Sequence, residues 1–163
     1  MARSEGDAQY VTFSLGKEVF ALPVAIVREI LDFHEPFRIP NGPGYLLGLT
    51  EVRGQGVPTI DLRMRLGMDR AAVTPHTRVL VVEIALADRV LVIGLVADRV
   101  YEVTPFTGQQ IDDAPDIGVR WNSAYIAGVV RRENDFVVLI DLQRLFSAAD
   151  AGALGAPGLS LAG

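Results

Sequence analysis

The sequence contains no cysteine among its 163 residues and only two histidines, His34 and His76. Without cysteine the chain can form no disulfide, thiolate nucleophile, zinc ribbon or iron–sulfur cluster. The histidines are far apart in sequence and neither belongs to a His-x-x-x-His pair, so no metal site is predicted. We expect no cofactor, and a reducing compartment suits the chain.

Positive charge is also scarce, with 15 lysines and arginines against 20 aspartates and glutamates and a net charge of −5. No segment carries the dense basic stripe that phosphate backbones select, which argues against nucleic acid as a partner. No apolar run approaches the roughly 20 residues of a membrane helix, and residues 1–7 lack the apolar stretch of an export signal. We predict a cytoplasmic protein without direct membrane insertion.

Motifs for catalysis are missing as well. Asp112, Asp113 and Asp116 have few apolar neighbours, and we interpret them as a solvated loop rather than a catalytic pair. The segment Gly54-Gln55-Gly56 lacks the Gly-Lys-Ser/Thr ending of a P-loop and the third glycine of a dinucleotide fingerprint. The sequence therefore predicts a protein that is not an enzyme.

The chain does contain a series of short runs rich in Val, Ile, Leu and Phe, bounded by Gly, Asp, Asn or Pro. This pattern is typical of β-strands, and we predict strands at 10–15, 18–22, 56–60, 78–86, 89–96 and 136–140. Helical signals are short: a run that starts at Pro23, and single turns capped by Asp61 and Asp141. Turn-forming dipeptides predict three hairpins in a mostly antiparallel protein, at Gly16-Lys17, Ala87-Asp88 and Asn134-Asp135.

The sequence is also two copies of one pattern. Residues 45–49, Tyr-Leu-Leu-Gly-Leu, match residues 125–129, Tyr-Ile-Ala-Gly-Val, at a shift of 80 (125 − 45), and the match continues without a gap to Leu62 and Leu142. Further upstream the shift is 73 (100 − 27), where residues 27–30 match residues 100–103. The second copy should thus hold seven extra residues (80 − 73), most naturally near 108–118, because insertions collect in loops.

Each copy offers about five short strands, enough for a small barrel whose own core is marginal. We therefore predict an all-β protein in which two five-stranded barrels share a core. This single domain of two intertwined lobes should span residues 9–147. Residues 1–8 and the Ala/Gly-rich residues 148–163 should be flexible ends.

Residues 48–63, Gly-Leu-Thr-Glu-Val-Arg-Gly-Gln-Gly-Val-Pro-Thr-Ile-Asp-Leu-Arg, closely resemble the central signature of CheW-like chemotaxis coupling proteins. Further landmarks follow in order at 13–16, 27–30, 94–98, 125–128 and 140–142, so the resemblance covers about residues 9–147. It implies SH3-like five-stranded barrels with a few short helices. It also implies an adaptor that couples the cytoplasmic tip of methyl-accepting chemoreceptors to the regulatory domain of a histidine kinase. Recruitment to membrane receptor arrays and contact with other CheW-like modules would follow.

By the same resemblance, seven residues occupy positions near partner-binding surfaces: Val27, Glu29, Gly48, Arg53, Val79, Val100 and Val103. Arg53 matches the signature arginine, and its planar five-donor head suits partner carboxylates and carbonyls. The valines are equally compatible with a core role, and the recurrence of Gly48 as Gly128 indicates a backbone requirement. Trp121 could anchor an interface or simply be a half-buried strand residue.

Four residues depart from the family pattern near these landmarks: Glu51, Gly56, Arg78 and Arg99. These departures bear on the identity of the partner and not on the fold. One alternative is a CheW-like scaffold of a non-chemotaxis receptor pathway, such as surface motility or development. A weaker alternative is a tandem SH3-like barrel that binds a ligand or nucleic acid.

Overall fold

A computed structural model describes residues 8–40, 42–86, 89–112 and 125–146, and it consists mostly of β-strands, as predicted. The first half of the chain has β1 (Ala8–Leu15), β2 (Glu18–Pro23), β3 (Val27–Asp32), β4 (Leu46–Val52), β5 (Gln55–Asp61) and the short helix α1 (Leu62–Arg65). The second half has β6 (Arg78–Ala85), β7 (Val90–Ala97), β8 (Arg99–Phe106), β9 (Ile111–Asp112), β10 (Ile126–Arg131), β11 (Phe136–Ile140) and α2 (Leu142–Leu145). One-turn 3₁₀ helices occupy Val24–Ile26 and Gly108–Gln110.

The strands form two sheets, in the orders β8-β1-β2-β11-β10-β9 and β3-β6-β7-β5-β4. Each sheet combines strands of both halves: β1 and β2 join the second half's strands, whereas β6 and β7 join the first half's. Four strand pairs join the halves: the parallel pairs β2 with β11 and β5 with β7, and the antiparallel pairs β1 with β8 and β3 with β6. The prediction of an all-β fold is confirmed, with two sheets of six and five strands, and neither sheet can form from one half of the chain alone.

The repeat holds at the level of strand register. Thr59 pairs with Gly94 where β5 meets β7, and Leu139 pairs with Ala21 where β11 meets β2. These are equivalent pairs, because Leu139 follows Thr59 by 80 residues and Gly94 follows Ala21 by 73. The two halves therefore have the same strand pairing: each of these strands pairs with the repeat equivalent of its counterpart's partner.

The recurring aspartates cap equivalent helices, also as predicted. Asp61 accepts a hydrogen bond from the Met64 N–H at 3.3 Å, and Asp141 accepts two from α2 at 3.0 and 3.3 Å. Their own N–H groups donate to the carbonyl oxygens of Tyr45 and Tyr125 at 2.9 and 2.8 Å. The repeated Tyr and Asp thus join the start of each helix to the start of β4 or β10, and the caps satisfy N–H groups that a helix start leaves unpaired.

The extra residues of the second half fall in two places. The bridge between Phe37 and Leu49 corresponds to the pairing of Asp112 with Val129. Asp112 follows Phe37 by 75 residues, so two of the seven extra residues precede Asp112, and the 3₁₀ helix Gly108–Gln110 occupies that longer connection. The other five come between Asp112 and residue 125, a stretch that falls largely outside the described residues.

The main core lies between the two sheets and draws on both halves, which confirms the prediction of a shared core. Its largest fully buried members include Phe13, Leu15, Ile60, Leu80, Leu95 and Phe146. A smaller cluster on the other face of the six-stranded sheet contains Tyr10, Ala21, Phe106, Ile111, Val130, Val137 and Leu139. Burial of this apolar surface is the main driving force for folding, and it requires the halves to fold together.

Two predicted hairpins are present within the described ranges. Gly16, with a φ of 63°, forms the β1–β2 turn with Lys17 as predicted. The β10–β11 turn lies one residue earlier than predicted, because the Arg132 N–H donates to the Asp135 carbonyl oxygen and closes the turn around residues 133–134. The predicted turn at 87–88, Trp121 and the proposed flexible ends lie outside the described residues, except that Ala8 already belongs to β1.

Candidate protein-interaction site

Two equivalent strands, β3 and β8, lie at the ends of their sheets. Within the described ranges neither strand has a neighbour on its outer side. Both carry exposed apolar side chains: Ile30 on β3 is 43% exposed, and its repeat equivalent Val103 on β8 is 51% exposed. Tyr101 on β8 is also exposed. Open sheet edges with exposed apolar residues are available for association with another protein.

Arg53 occupies a two-residue turn between β4 and β5. Its φ is 53° and that of Gly54 is 82°, which together make a type I′ hairpin turn. A left-handed conformation is uncommon for any residue other than glycine, and such residues concentrate at functional sites. The Arg53 side chain is 80% exposed, so the strained backbone presents a guanidinium group to solvent.

Glu29 on β3 orients this guanidinium. The Arg53 Nε donates to the Glu29 carboxylate at 3.0 Å, although the residues are 24 apart in sequence. Within the described part of the chain, no residue accepts a hydrogen bond from the two terminal nitrogens of Arg53. The structure thus brings together two predicted site residues and leaves Arg53 donors available for a partner carboxylate or carbonyl.

Gly48 has a structural role instead. It is buried, its φ is 146°, and a Cβ at this position would lie 2.0 Å from the Phe37 carbonyl oxygen. Phe37 and Leu49 exchange two backbone hydrogen bonds of 2.8 Å across this contact. Only glycine allows so close an approach, which is the backbone requirement that its recurrence indicated.

Val79 does not lie at a surface, which corrects its prediction as a residue near a partner. It is 1% exposed in β6, and it packs so closely on Gly94 of β7 that a Cβ there would lie 2.9 Å from a Val79 methyl group. Val27 and Val100, which are repeat equivalents, are half-buried and pack against the main core. Among the four valines, only Val103 is largely exposed.

The seven predicted residues therefore fall into separate groups. Val27, Glu29 and Ile30, together with Arg53, form what we term the β3 surface, on the five-stranded sheet. Val100, Tyr101 and Val103 form the β8 surface, on the six-stranded sheet. Ile30 and Tyr101 are additions that the structure supplies, since their exposure on edge strands could not be inferred from the sequence pattern.

Sequence reasoning also missed a cluster that joins the halves. Arg63 of α1 donates to Asp98 through Nε at 3.2 Å and through Nη2 at 2.6 Å, and the Gly16 N–H donates to the same carboxylate at 2.6 Å. Asp98 lies between β7 and β8, whereas Gly16 lies between β1 and β2. The ion pair therefore ties together turns from both sheets.

The electrostatics of this cluster follow from its geometry. Burial by itself raises the pKa of Asp98, but the hydrogen bonds from Arg63 and Gly16 and the charge of Arg63 outweigh it and leave this pKa below its ordinary value. The hydrogen bond to Asp98 raises the pKa of Arg63 against the opposing effect of burial. Both groups are therefore charged at neutral pH, and their role is structural.

Two further features are missing from the described ranges. No group of three or more histidine, aspartate or glutamate residues there could hold a metal ion. No helix in the same ranges is long and apolar enough to cross a membrane. The arrangement of this part of the chain is one of open edges and exposed side chains rather than of converging catalytic groups.

Comparison with known protein families decides between the functions that the sequence left open. A family model described as the CheW-like domain matches residues 9–150. The chain belongs to the CheW-like family. The resemblance at 48–63 is thereby confirmed, and the matched range agrees with the predicted 9–147 except for three residues at its end.

Individual proteins that are similar to this CheW-like protein support its family membership. A probable chemotaxis protein CheW of Rhizobium etli is 30% identical over 150 residues, which cover 92% of this chain and 94% of the relative. Chemotaxis protein CheW of Klebsiella aerogenes is 30% identical over 142 residues, covering 87% of this chain and 83% of the relative. The crystal structure of the scaffolding protein TtCheW from Thermoanaerobacter tengcongensis superimposes with a TM-score of 0.77 at 27% identity, covering 92% of this chain and 94% of that one.

These comparisons confirm the predicted chemotaxis coupling adaptor, and they favour neither the non-chemotaxis scaffold nor the ligand-binding tandem barrel. CheW proteins form a family of scaffolds and adaptors. Open sheet edges and an exposed arginine are features through which an adaptor can contact another protein.

Proposed function

We propose that this CheW-like adaptor binds the regulatory domain of a chemotaxis histidine kinase through the β3 surface. The observation that carries the proposal is the Arg53–Glu29 pair, a solvent-facing guanidinium held at 3.0 Å from its carboxylate in a turn with positive φ. Ile30 is an exposed apolar side chain on the same edge strand, but on the opposite face from Glu29, since it pairs with Leu80 whereas Glu29 pairs with Val81. Arginine and exposed apolar side chains are both common among the residues that form protein interfaces.

The β8 surface is proposed to bind the cytoplasmic tip of methyl-accepting chemoreceptors. Val100 and Val103 offer an apolar strip, and the ring of Tyr101 adds an amphipathic contact whose hydroxyl group lies 3.4 Å from that of Ser14. Such a strip suits the apolar face of a helix. The β3 and β8 surfaces belong to different sheets, and we infer that the two partners bind at the same time.

Binding at two surfaces would let the receptor state bias kinase activity, since a ligand shifts a partner's equilibrium only through differential affinity for its states. The adaptor would work in the cytoplasm and reach membrane receptor arrays through its partners. Contact with other CheW-like modules would use the same open edges, barrel to barrel.

Variants at the two surfaces separate these roles. We expect Arg53→Ala to lose retention by an immobilised kinase regulatory domain while it still binds a receptor cytoplasmic fragment. Val103→Asp should show the opposite pattern, because a buried charge in an apolar contact is costly.

Arg132→Ala is the matched control, because Arg132 also forms an exposed ion pair beside a hairpin turn, with Asp135 at 2.8 Å, on the equivalent hairpin of the second half. It should retain both partners. If Arg53→Ala and Val103→Asp both keep native circular dichroism and bind both partners as the unsubstituted protein does, the assignment of these surfaces is wrong.

A further inference from the structure

The two equivalent edge strands differ in how their charges are compensated. Each charged side chain of β3 forms an ion pair within the chain: Arg28 with Glu83 at 3.2 Å, Glu29 with Arg53 at 3.0 Å and Asp32 with Arg78 at 3.5 Å. The charged residues of β8 are Arg99 and Glu102, and both are exposed. Neither has an ion pair with any residue in the part of the chain that the structure describes. The β8 edge therefore presents two opposite charges without internal partners.

The repeat explains why Glu102 has no partner. Glu102 is the equivalent of Glu29 at the shift of 73 (102 − 29), and Glu133 is the equivalent of Arg53 at the shift of 80 (133 − 53). The arginine that binds the carboxylate in the first half is thus replaced by a residue of the same charge as Glu102. The neighbouring Arg132 is already held by two hydrogen bonds within its own hairpin, at 2.8 and 2.9 Å.

Arg99 also lacks a counterpart in the first half, where its equivalent at the shift of 73 is Ile26. The adjacent carboxylate, that of Asp98, already accepts hydrogen bonds from Arg63 Nη2 and from the Gly16 N–H, both at 2.6 Å. Its charge is therefore engaged on the side away from Arg99's own partner. Arg99 is moreover one of the four residues that depart from the family pattern.

The two charges lie on the same face of the six-stranded sheet. Arg99 pairs with Ser14, and a bulge in β8 places Glu102 opposite Thr12, two residues away on the same face of β1. The Tyr101 hydroxyl group lies 3.4 Å from that of Ser14, between the two charges. The valines of the β8 surface pair with core residues and lie on the other face. Three residues of extended strand separate the two charges by about 10 Å.

This edge suits contacts with side chains better than the addition of a partner strand. Pro105 of β8 has no N–H group to donate, and the bulge interrupts the regular spacing of backbone hydrogen-bonding groups. A helix that binds through its side chains does not need that spacing. Because a helix rises about 1.5 Å per residue, charges about 10 Å apart match helical residues about seven positions apart on one face.

We propose that Arg99 and Glu102 determine which receptor the adaptor binds, an inference that rests on the proposed function of the β8 surface. The receptor helix presents an acidic side chain to Arg99 and, about two turns away, a basic side chain to Glu102. A receptor with like charges at these positions is rejected, because like-charge contacts across an interface are costly. The alternative is that the two charges only protect an open sheet edge from association.

The test measures the affinity of the full-length adaptor for a receptor cytoplasmic fragment by isothermal titration calorimetry at low salt. Arg99→Glu and Glu102→Arg should each weaken binding by about tenfold. The double variant keeps the net charge of the unsubstituted protein but reverses the order of the two charges, so it should bind no better than either single variant. Arg38→Glu is the control, an equal change of charge at an exposed residue beside β4 in the other sheet, and it should bind unchanged.

The proposal is overturned if both single variants, with native circular dichroism, bind as the unsubstituted protein does. It is also overturned if the double variant regains full affinity, since only total charge would then matter. Val103→Asp distinguishes these results from failure of the proposed function. If that variant loses the receptor while the charge variants keep it, only the selection by charge is wrong. If Val103→Asp keeps the receptor, the assignment of the β8 surface is wrong and the inference fails with it.

Discussion

The ion pair between Arg63 and Asp98 offers a quantitative test of how the halves are held together. The two side chains are only 15% and 31% exposed, and they share two hydrogen bonds, of 3.2 and 2.6 Å. Charge-assisted hydrogen bonds contribute about 1.5–3 kcal/mol each, and partial exposure reduces this by solvent screening. We expect Asp98→Ala to lower the free energy of unfolding by about 2 kcal/mol, because it leaves a largely buried guanidinium without its carboxylate partner.

Chemical denaturation monitored by circular dichroism measures this loss, which corresponds to a fall in Tm of about 4–8 °C for a domain of this size. Removing the exposed Arg132–Asp135 pair by Asp135→Ala is the control, and it should cost at most about 1 kcal/mol. A double-mutant cycle of Asp98→Ala with Arg63→Met isolates the coupling between the two side chains. A coupling energy indistinguishable from that of the exposed pair would refute this account of the cluster.

The lowered pKa of Asp98 makes its contribution dependent on pH: it is present above the unfolded-state value of about 4 and is lost as the pH falls through the folded pKa. The stability gap between Asp98→Asn and the unsubstituted protein should therefore shrink in urea titrations below about pH 4, and a constant gap would contradict this. Gly48→Ala should cost at least about 3 kcal/mol or prevent folding, because its methyl group would overlap the Phe37 backbone, whereas Gly54→Ala, with open space around it, should cost about 1–2 kcal/mol. Thermal unfolding would contradict this if the two glycine variants lost equal stability. Asp141→Ala should cost about 1 kcal/mol through loss of the α2 cap, and an unchanged Tm would exclude that role.

Much of the architecture was predictable because the sequence contains the same pattern twice. The shifts of 73 and 80 identify equivalent strands, equivalent caps at Asp61 and Asp141, and the length of the insertion. Each copy is too small for a stable core, which predicts that the copies share one. The exchange of β1 and β2 into the sheet of the second half was not predictable in detail, because tertiary pairing and not local pattern decides which sheet a strand joins.

The candidate site was predictable only in part. Arg53 was inferred from a signature, but its hairpin was missed because turn propensities do not favour arginine at positive φ. Val79 was misplaced because residues 79–82 are all apolar, so β6 has no alternation that would separate a core face from an outer one. The Arg63–Asp98 pair spans 35 residues without a motif, and only the packing of the two turns reveals it.

The most direct test of the central claim is whether the adaptor holds both partners at once. The full-length protein is mixed with the kinase regulatory domain and a receptor cytoplasmic fragment, and the mixture is separated by size-exclusion chromatography with light scattering. We predict a single species whose mass contains all three components and which Arg53→Ala reduces to adaptor and receptor fragment. Elution of the adaptor apart from both partners, or strict competition between them for one site, would contradict the account.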